Sequence, residues 1–505
     1  MVLRSASGIL LAACLGASAA GCGLLLGVSS WQDVACVDSC GADGSTDSTI
    51  PHDGTADASD TSQGDSNVPD GSGTDVSADA LDSGSTSDGD AADPYHSITD
   101  QAFWTTFDVS TLDGGAKGFL GGAFDGRYVY LAPHGTISPS GVVTRLDTEA
   151  DGGFKSRASW QTFDTTSIDG GAGASGFQGA VYDPVQGRLY LVPDNDMVPD
   201  GIVATYPTGP QGDAGLLPFS TASSWSTYAP VVGDGGNAGF AGGTFDGQHV
   251  YLVPSDNGAP DGIVTRVDTT QPFASAGSWS AFDMTQLKPR ANHYLGAVYT
   301  GTLVLFAPTE QGAGAMPSGL VASYLASQAF GTPGNWQTFD VTGIPGGMNA
   351  AGFRGVAFDG KYAYFVPNAS GTLHAEVARF DSSKAGGLTD TSAWEFFDAT
   401  QQLMNAAATG FFGAAFDGRY IYLVPNANTL LVRYDTTITT TNAFTAASSW
   451  STFDISALGI GKGPFAGAVF DGEYVYFVPQ TGSVVSRFDA RSPAAQVTGQ
   501  TGSFF

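Results

Sequence analysis

Six aspartates recur at matching positions of a repeated segment, which makes them the first candidates for acid–base chemistry or cation binding in this 505-residue chain. In most copies a glycine follows the aspartate, and Asp-Gly favours a two-residue β-hairpin turn. An active site occurs once in a chain, whereas these residues occur once per repeat. We therefore expect structural turn residues at Asp125, Asp183, Asp246, Asp359, Asp417 and Asp471.

An Arg-x-Asp unit also recurs, in five of seven copies. Residues two apart in a strand point to the same side, so the arginine could pair with its own aspartate or with the aspartate of the next strand. Because the unit is repeated we expect structural pairing, with ligand or metal binding as the alternative. The pairs are Arg145/Asp147, Arg266/Asp268, Arg379/Asp381, Arg433/Asp435 and Arg487/Asp489.

A function that occurs once should lie where the copies differ. The residue after the first aromatic of each copy is Leu120, Gln178, Ala241, Leu295, Arg354, Phe412 or Ala466. If this position faces a shared central channel, a polar, a cationic and an aromatic side chain converge at its mouth. In the fourth copy His293 replaces a glycine, through drift or because it serves a site. We predict a ligand-binding mouth built from Gln178, His293, Arg354 and Phe412, with ordinary channel filling as the alternative.

Calcium is the one cofactor that the composition leaves open. Loops of the second and third copies are rich in carboxylate oxygens, the ligands that calcium prefers. The candidates are Asp194, Asp196, Asp200, Asp256 and Asp261, and exposed hairpin loops are the alternative reading. No histidine has metal-ligand spacing, and we find no nucleophile elbow, P-loop or dinucleotide fingerprint. A pair of carboxylates that meets only in space would leave no such trace.

These residues sit on a sevenfold repeat. Tryptophans at 104, 160, 225, 279, 336, 394 and 450 mark copies of about 57 residues. Each copy contains a hairpin of two β runs, a third run after a variable loop, and a tryptophan segment that is Trp-x-x-Phe-Asp in six of the seven. Four short strands repeated seven times without helical periodicity predict an all-β fold, a seven-bladed β-propeller with four-stranded blades. Early Gly pairs and later aromatic residues resemble Kelch-type propellers, whose period is about 50.

The register of the repeat predicts how the ring closes. The chain opens with a Trp-x-x-Phe-Asp strand at 104–108 and ends after a third strand at 484–489. The last copy therefore lacks its fourth strand, while the beginning of the repeat region has one to spare. We predict that strand 104–108 completes the last blade. The propeller domain is expected to span 98–505.

The region before the propeller carries half of the net charge of −30. Residues 1–103 hold 16 acids and one base, whereas residues 104–505 hold 33 acids and 18 bases, so each part contributes −15. Most of these early acids lie in a stretch of Asp, Ser, Gly, Thr and Ala that has too little apolar surface to fold. We predict a disordered acidic tether over 22–97.

Residues 1–21 are predicted to be an export signal, with Arg4 followed by an apolar stretch and small residues. Ala19-Ala20-Gly21-Cys22 resembles the lipobox at which bacterial lipoproteins are cleaved and acylated, which implies lipidation of Cys22; Cys14 is the other candidate. With Cys22 lipidated, Cys36 and Cys40 remain as a pair that could form a disulfide outside the cytoplasm. We expect an exported protein, anchored by lipid to the bacterial membrane or cell surface.

Two functions from different classes fit this sequence. The first is a non-enzymatic propeller that acts as a binding or scaffold module for a protein or glycan. The alternative is a secreted polysaccharide hydrolase or lyase with its site at the channel mouth. We expect no nucleic-acid partner, because the chain is strongly acidic. We further expect membrane contact through the N-terminal lipid alone, a monomer, and no cofactor unless calcium binds.

Overall fold

A computed structural model describes residues 93–170, 173–194, 201–209, 217–232, 238–311, 316–369 and 372–497. The expected signal peptide, Cys14, Cys22, Cys36, Cys40 and the tether up to residue 92 lie outside these ranges, as do Asp196 and Asp200. In the described residues no helix combines the length and apolar character needed to cross a membrane. The short strand β1 (Trp104–Asp108) comes first and is followed by six complete four-stranded sheets.

Each sheet is one blade, and its strands lie in chain order from the inside outwards. Blades 1 to 3 consist of β2 (Phe119–Phe124), β3 (Tyr128–Pro133), β4 (Val142–Asp147), β5 (Trp160–Asp164), β6 (Phe177–Asp183), β7 (Arg188–Pro193), β8 (Val203–Pro207), β9 (Ser226–Tyr228), β10 (Phe240–Phe245), β11 (His249–Pro254), β12 (Ile263–Asp268) and β13 (Trp279–Asp283). Blade 4 comprises β14 (Tyr294–Tyr299) and β15 (Leu303–Pro308), a small hairpin of β16 (Glu310–Gln311) and β17 (Met316–Pro317), then β18 (Leu320–Leu325) and β19 (Trp336–Asp340).

Blades 5 to 7 complete the ring with β20 (Phe353–Phe358), β21 (Tyr362–Pro367), β22 (Glu376–Asp381), β23 (Trp394–Asp398), β24 (Phe411–Phe416), β25 (Tyr420–Pro425), β26 (Leu430–Asp435), β27 (Trp450–Asp454), β28 (Phe465–Phe470), β29 (Tyr474–Pro479) and β30 (Val484–Asp489). The described helices are short: the α-helical turn α1 (Ala399–Gln402) and 3-10 turns at Gln101–Phe103, Val109–Thr111, Arg157–Ser159, Thr165–Gly170, Ala222–Ser224, Ala276–Ser278, Met284–Gln286, Pro333–Asn335, Val341–Gly343, Gly387–Thr389, Thr391–Ala393, Ala443–Thr445, Ala447–Ser449 and Ile455–Leu458. The fold is therefore the predicted seven-bladed β-propeller.

The predicted ring closure is confirmed. Strand β1 pairs antiparallel with β30, Trp104 opposite Phe488 and Asp108 opposite Val484, and so becomes the outer strand of blade 7. Trp104 packs its ring against Phe453 and Phe477, with centroids 5.3 and 5.4 Å away. Its indole N–H donates to a carbonyl six residues earlier at 2.9 Å, and the other six repeat tryptophans make the same bond at 2.8–2.9 Å.

The repeated arginine joins neighbouring blades, but through other partners than we expected. Arg145 lies over the ring of Tyr128 in its own blade, 4.0 Å from the centroid, and over Phe219 of the next blade at 4.2 Å. It donates to Gln161, at 2.9 Å from Nε, rather than to an aspartate. Asp147 instead accepts from Arg127 at 2.8 Å. Cation–π contacts of this kind hold best where water is excluded, as between packed blades.

Candidate functional site

The repeated hairpin aspartates are structural: five accept three hydrogen bonds each, and Asp183 accepts two, from the backbone N–H groups of Val185 (2.8 Å) and Gln186 (3.0 Å). Asp417 accepts hydrogen bonds from the backbone N–H groups of Arg419 (2.8 Å) and Tyr420 (2.6 Å) and from the Tyr422 hydroxyl (2.6 Å). Its side chain is fully buried, and burial raises its pKa to about 6 in spite of these donors. Asp125, Asp246, Asp359 and Asp471 have the same three kinds of donor.

The segments that differ between the seven repeats lie on one face of the ring. The strand register puts the start of each inner strand, the end of the second, the start of the third and the end of the fourth at the same edge, as Phe353↔Pro367 and Glu376↔Asp398 show in blade 5. We call this side, with its loops and inter-blade connections, the channel face. The hairpin aspartates lie at the opposite edge. Loops that carry function on a rigid scaffold are most variable on such a face.

A β-bulge positions the predicted mouth residues. In all seven inner strands the pairing shifts register after the first residue, in blade 5 between Phe353 and Val356, and bulges of this kind redirect side chains. Leu120, Phe412 and Ala466, from three different blades, pack together as one buried cluster. The Arg354 guanidinium lies 5.1 Å from the centroid of the Phe412 ring. The inner strands thus bring the variable position of several blades together at the axis.

Arg354 and Gln178 are the polar members of this group. Burial lowers the pKa of Arg354, and Glu310 opposes that shift. Among the described residues no carboxylate lies within 4 Å of its guanidinium, which instead lies over the Phe412 ring. Gln178 holds the same position on β6 and is buried. Ligand binding by these residues stays a prediction.

His293 is held in an unusual backbone conformation. Its φ is +61°, at a position where five other blades have glycines with φ between +67° and +72°. A residue with a side chain pays strain there, and such strain concentrates at functional sites. The His293 Nδ1 lies 3.5 Å from Glu310 Oε2, an ion-pair distance. Burial lowers the pKa of His293; Glu310 and Asp256 oppose that shift and Arg354 adds to it.

A ring of polar residues surrounds the mouth, and our sequence reasoning missed it. The residue after the second strand is polar in all seven blades: His134, Asp194, Ser255, Thr309, Asn368, Asn426 and Gln480. The His134 Nε2 lies 3.1 Å from Asp194 Oδ2 in the next blade. Asn368 and Asn426 each donate to a carbonyl of the following inner strand, at 2.7 and 2.8 Å. Constant polarity after a strand-ending proline was the signal that could have revealed this ring.

Each described calcium candidate contacts a protein group, although the Asp261 Oδ2 has no hydrogen-bond partner among the described residues. Asp194 contacts His134, and Asp256 accepts from the backbone N–H of Gly258 at 2.8 Å. Asp261 accepts from the N–H of Ile263 at 3.1 Å, and burial raises its pKa to about 6. Within the described part of the chain, no group of three or more His, Cys, Asp and Glu side chains is placed to hold a metal ion. Calcium binding stays an untested prediction.

A second feature of the channel face was also missed. A cavity of about 410 Å³ in blade 5 is lined by Asn349, Thr372, Leu373, His374, Ala375, Glu376, Asp398, Thr400, Ala406 and Thr409. Glu376 opens the third strand, where the six other blades have Val142, Ile202, Ile263, Leu320, Leu430 and Val484. The sequence signal was this single replacement of an aliphatic residue by a carboxylate. We call this cavity the blade 5 pocket.

Comparison with known proteins finds similar solved structures but no matching sequence. No protein-family model matches the chain, and no curated protein sequence matches it. Among solved structures, virginiamycin B lyase from Staphylococcus aureus is similar with a TM-score of 0.49 and 10% identity, over 76% of this chain and 98% of that one. The Cps50 (Swd1) β-propeller domain of Myceliophteria thermophila has a TM-score of 0.44 and 10% identity, over 74% and 97%. At such identities the likeness concerns the fold alone.

Proposed function

We propose that this protein is a binding module that takes a protein or glycan ligand at the channel mouth. The observation that supports this proposal most directly is the contact of the Arg354 guanidinium with the Phe412 ring at the centre of the polar ring. A guanidinium that rests on an aromatic ring keeps its edge for bidentate bonds to a carboxylate or similar group. Phe412 itself is buried, so the polar ring would supply the surface for a sugar ring or a peptide. We therefore expect a ligand that presents an acidic group.

The same proposal places the module outside the cytoplasm. Its support is the sequence: the export signal over 1–21, the lipobox-like segment ending at Cys22, and the acidic stretch that follows. An extended acidic tether would hold the channel face away from an anionic membrane surface. Mass spectrometry of the mature N-terminus tests this part independently. An unacylated terminus would retire Cys22 as the anchor.

The mouth is tested by a glycan array and pull-down with Arg354→Met, which removes the charge and keeps much of the apolar stem. Arg290→Met is the matched control, because Arg290 is exposed on the connection between blades 3 and 4 on the same face. We expect Arg354→Met to weaken binding about tenfold or more and Arg290→Met to change it less than about twofold. Equal losses would indicate unspecific attraction by net charge and would contradict the proposal.

A polysaccharide lyase or hydrolase is the second candidate, favoured by His293 and Glu310. Burial keeps His293 neutral near pH 7, so its imidazole would be able to accept a proton. Arg354 would neutralise a carboxylate next to the carbon that loses that proton. Turnover of any acidic polysaccharide that Arg354→Ala abolishes would favour this enzyme over a pure binding module.

A further inference from the structure

The blade 5 pocket has a buried carboxylate at a strand position where the six other blades have an aliphatic residue. Glu376 is 6% exposed, and its Oε1 has no hydrogen-bond partner among the described residues. In the strand register it lies directly opposite Asp398. Like charges opposite each other destabilise a sheet, and the other blades avoid this by placing an aliphatic residue there. Hydrogen bonding from Asn349 lowers the pKa of Glu376, but its Oε1 atom stays without a partner in the described structure and is left for one from outside.

Two further polar atoms of the pocket also lack a partner. The His374 Nε2 and the Thr409 Oγ1 are buried without a partner in the described structure. Because the His374 Nδ1 accepts from the backbone N–H of Glu376 at 3.4 Å, its Nε2 carries the proton of the neutral ring and would donate, whereas the Thr409 hydroxyl can accept. Asp398 also lies at the pocket wall and uses its oxygens to cap α1, accepting from Thr400 and Gln401 at 2.7 and 3.1 Å. Burial and Asp398 together raise the pKa of Glu376 to about 7, opposed by Asn349. A cation would relieve this burial cost as a proton does.

The surroundings of the pocket are apolar. Nine large hydrophobic side chains are exposed in the described residues, and seven of them lie on the channel face: Ile137, Val231, Met316, Met348, Leu373, Met404 and Val484. Three belong to segments that line the pocket. Leu373 lines it directly, Met348 (79% exposed) precedes Asn349, and Met404 (92% exposed) lies between Thr400 and Ala406. Exposed apolar patches with methionine are typical of protein-binding surfaces.

We propose that the blade 5 pocket binds the side chain of an arginine or lysine from a partner protein, whose neighbouring apolar residues pack on Met348, Leu373 and Met404. An inner acidic wall and an outer apolar rim match a basic side chain, which has an apolar stem and a charged tip. The acidic chain attracts a basic partner over distance as well. This site lies in blade 5, is separate from the axial mouth, and does not depend on ligand binding by Arg354.

The test uses a fluorescent peptide with one arginine between leucines, and the same peptide with neutral citrulline in place of arginine. We expect the purified protein to bind the arginine peptide at least about tenfold more tightly than the citrulline peptide. Glu376→Gln, which keeps the shape, should remove this preference. Glu149→Gln is the control for loss of one carboxylate, because Glu149 is exposed at the opposite edge and lies 3.7 Å from Arg127.

The pH profile and the rim sharpen the test. Affinity of the wild-type protein should rise between about pH 5.5 and 8 as Glu376 loses its proton, whereas the Glu376→Gln profile should be flatter. Asp398 and His374 are the other titratable groups at this wall. Met404→Asn should weaken binding about threefold, and Ile137→Asn, an exposed residue of blade 1 on the same face, should not.

Three results would overturn this proposal. The first is equal affinity for the two peptides, and the second is an arginine preference that survives in Glu376→Gln. The third is cleavage of a glycan that Glu376→Gln abolishes, since that would make Glu376 and Asp398 a catalytic carboxylate pair. If Arg354→Met loses glycan binding but keeps peptide binding, the result supports the channel-mouth proposal and leaves the pocket proposal standing.

Discussion

Asp417 and Glu376 are both buried carboxyl groups of the propeller, yet their surroundings are opposite. Burial raises the pKa of both, to about 6 and about 7. Asp417 accepts three hydrogen bonds from residues within five positions of it in the chain. Glu376 has an oxygen without any partner in the described residues. A raised pKa therefore does not distinguish the structural residue Asp417 from the functional candidate Glu376. The number of hydrogen bonds that each carboxyl group accepts does distinguish them.

The repeat explains this difference. A carboxylate that recurs in six of the seven blades brings donors with it, because the hairpin supplies two backbone N–H groups in each and a tyrosine hydroxyl in five of them. A carboxylate that occurs in one blade alone has no donors arranged by the repeat. Its partner has to come from a unique segment of the chain or from another molecule.

The largest effect should follow from Asp417→Ala. This substitution leaves the Tyr422 hydroxyl and two backbone N–H groups buried without an acceptor, and we expect a loss of about 3 kcal/mol or more in the free energy of unfolding. Urea denaturation measures it. Asp454→Ala is the control, because this exposed aspartate caps a short turn by accepting from Ser456 at 2.9 Å and should cost about 1 kcal/mol. Similar losses in both variants would erase the structural role assigned to Asp417.

Glu376→Gln should act in the opposite direction and depend on pH. Because the pKa of Glu376 is higher in the folded protein than in the unfolded chain, its ionisation opposes folding. The cost is absent below about pH 4.5, grows as the pH rises, and is complete above about pH 7. We expect the variant to match wild type near pH 4.5 and to exceed it by about 2 kcal/mol at pH 8.

Urea midpoints over this pH range measure the difference between the two proteins. Glu149→Gln, at an exposed position, should show no such trend. A constant difference between Glu376→Gln and wild type would mean that Glu376 keeps an ordinary pKa in the folded state. The contrast with Asp417 would then disappear.

The smallest effect is expected from His293→Gly, which restores the residue type of five other blades. Relief of the left-handed backbone should stabilise the protein by about 1 kcal/mol, measured as an upward shift of the melting temperature. The opposite change in blade 3, Gly239→Ala, should destabilise it, since a Cβ there would lie 1.8 Å from the Asp256 carbonyl oxygen. A destabilised His293→Gly protein would show that His293 serves packing rather than function.

The sequence predicts the fold far better than the site. The closure of blade 7 by Trp104–Asp108 could be deduced by counting strands, because the repeat states which strand is missing. Arg354 and Phe412 were found because matching positions of aligned copies can be compared. The pocket of Glu376 was not, because its walls come from a connection, a loop and a strand end that meet only in the folded chain. Comparison of all positions, not only the inner strand, would have exposed it.

Closure by β1 gives the propeller the topology of a circle with one seam. Both ends of the described chain lie in blade 7, and Tyr95 also forms a β-bridge with Arg491. In a closed ring every blade has two neighbours, so no sheet edge faces a missing blade, whereas opening the seam would free the outer edge of β30. The two ends of the ring are not joined covalently; five antiparallel residue pairs between β1 and β30 and the packing of Trp104 hold them together. In such a propeller the closure of the ring depends on one noncovalent contact, the pairing of β1 with β30.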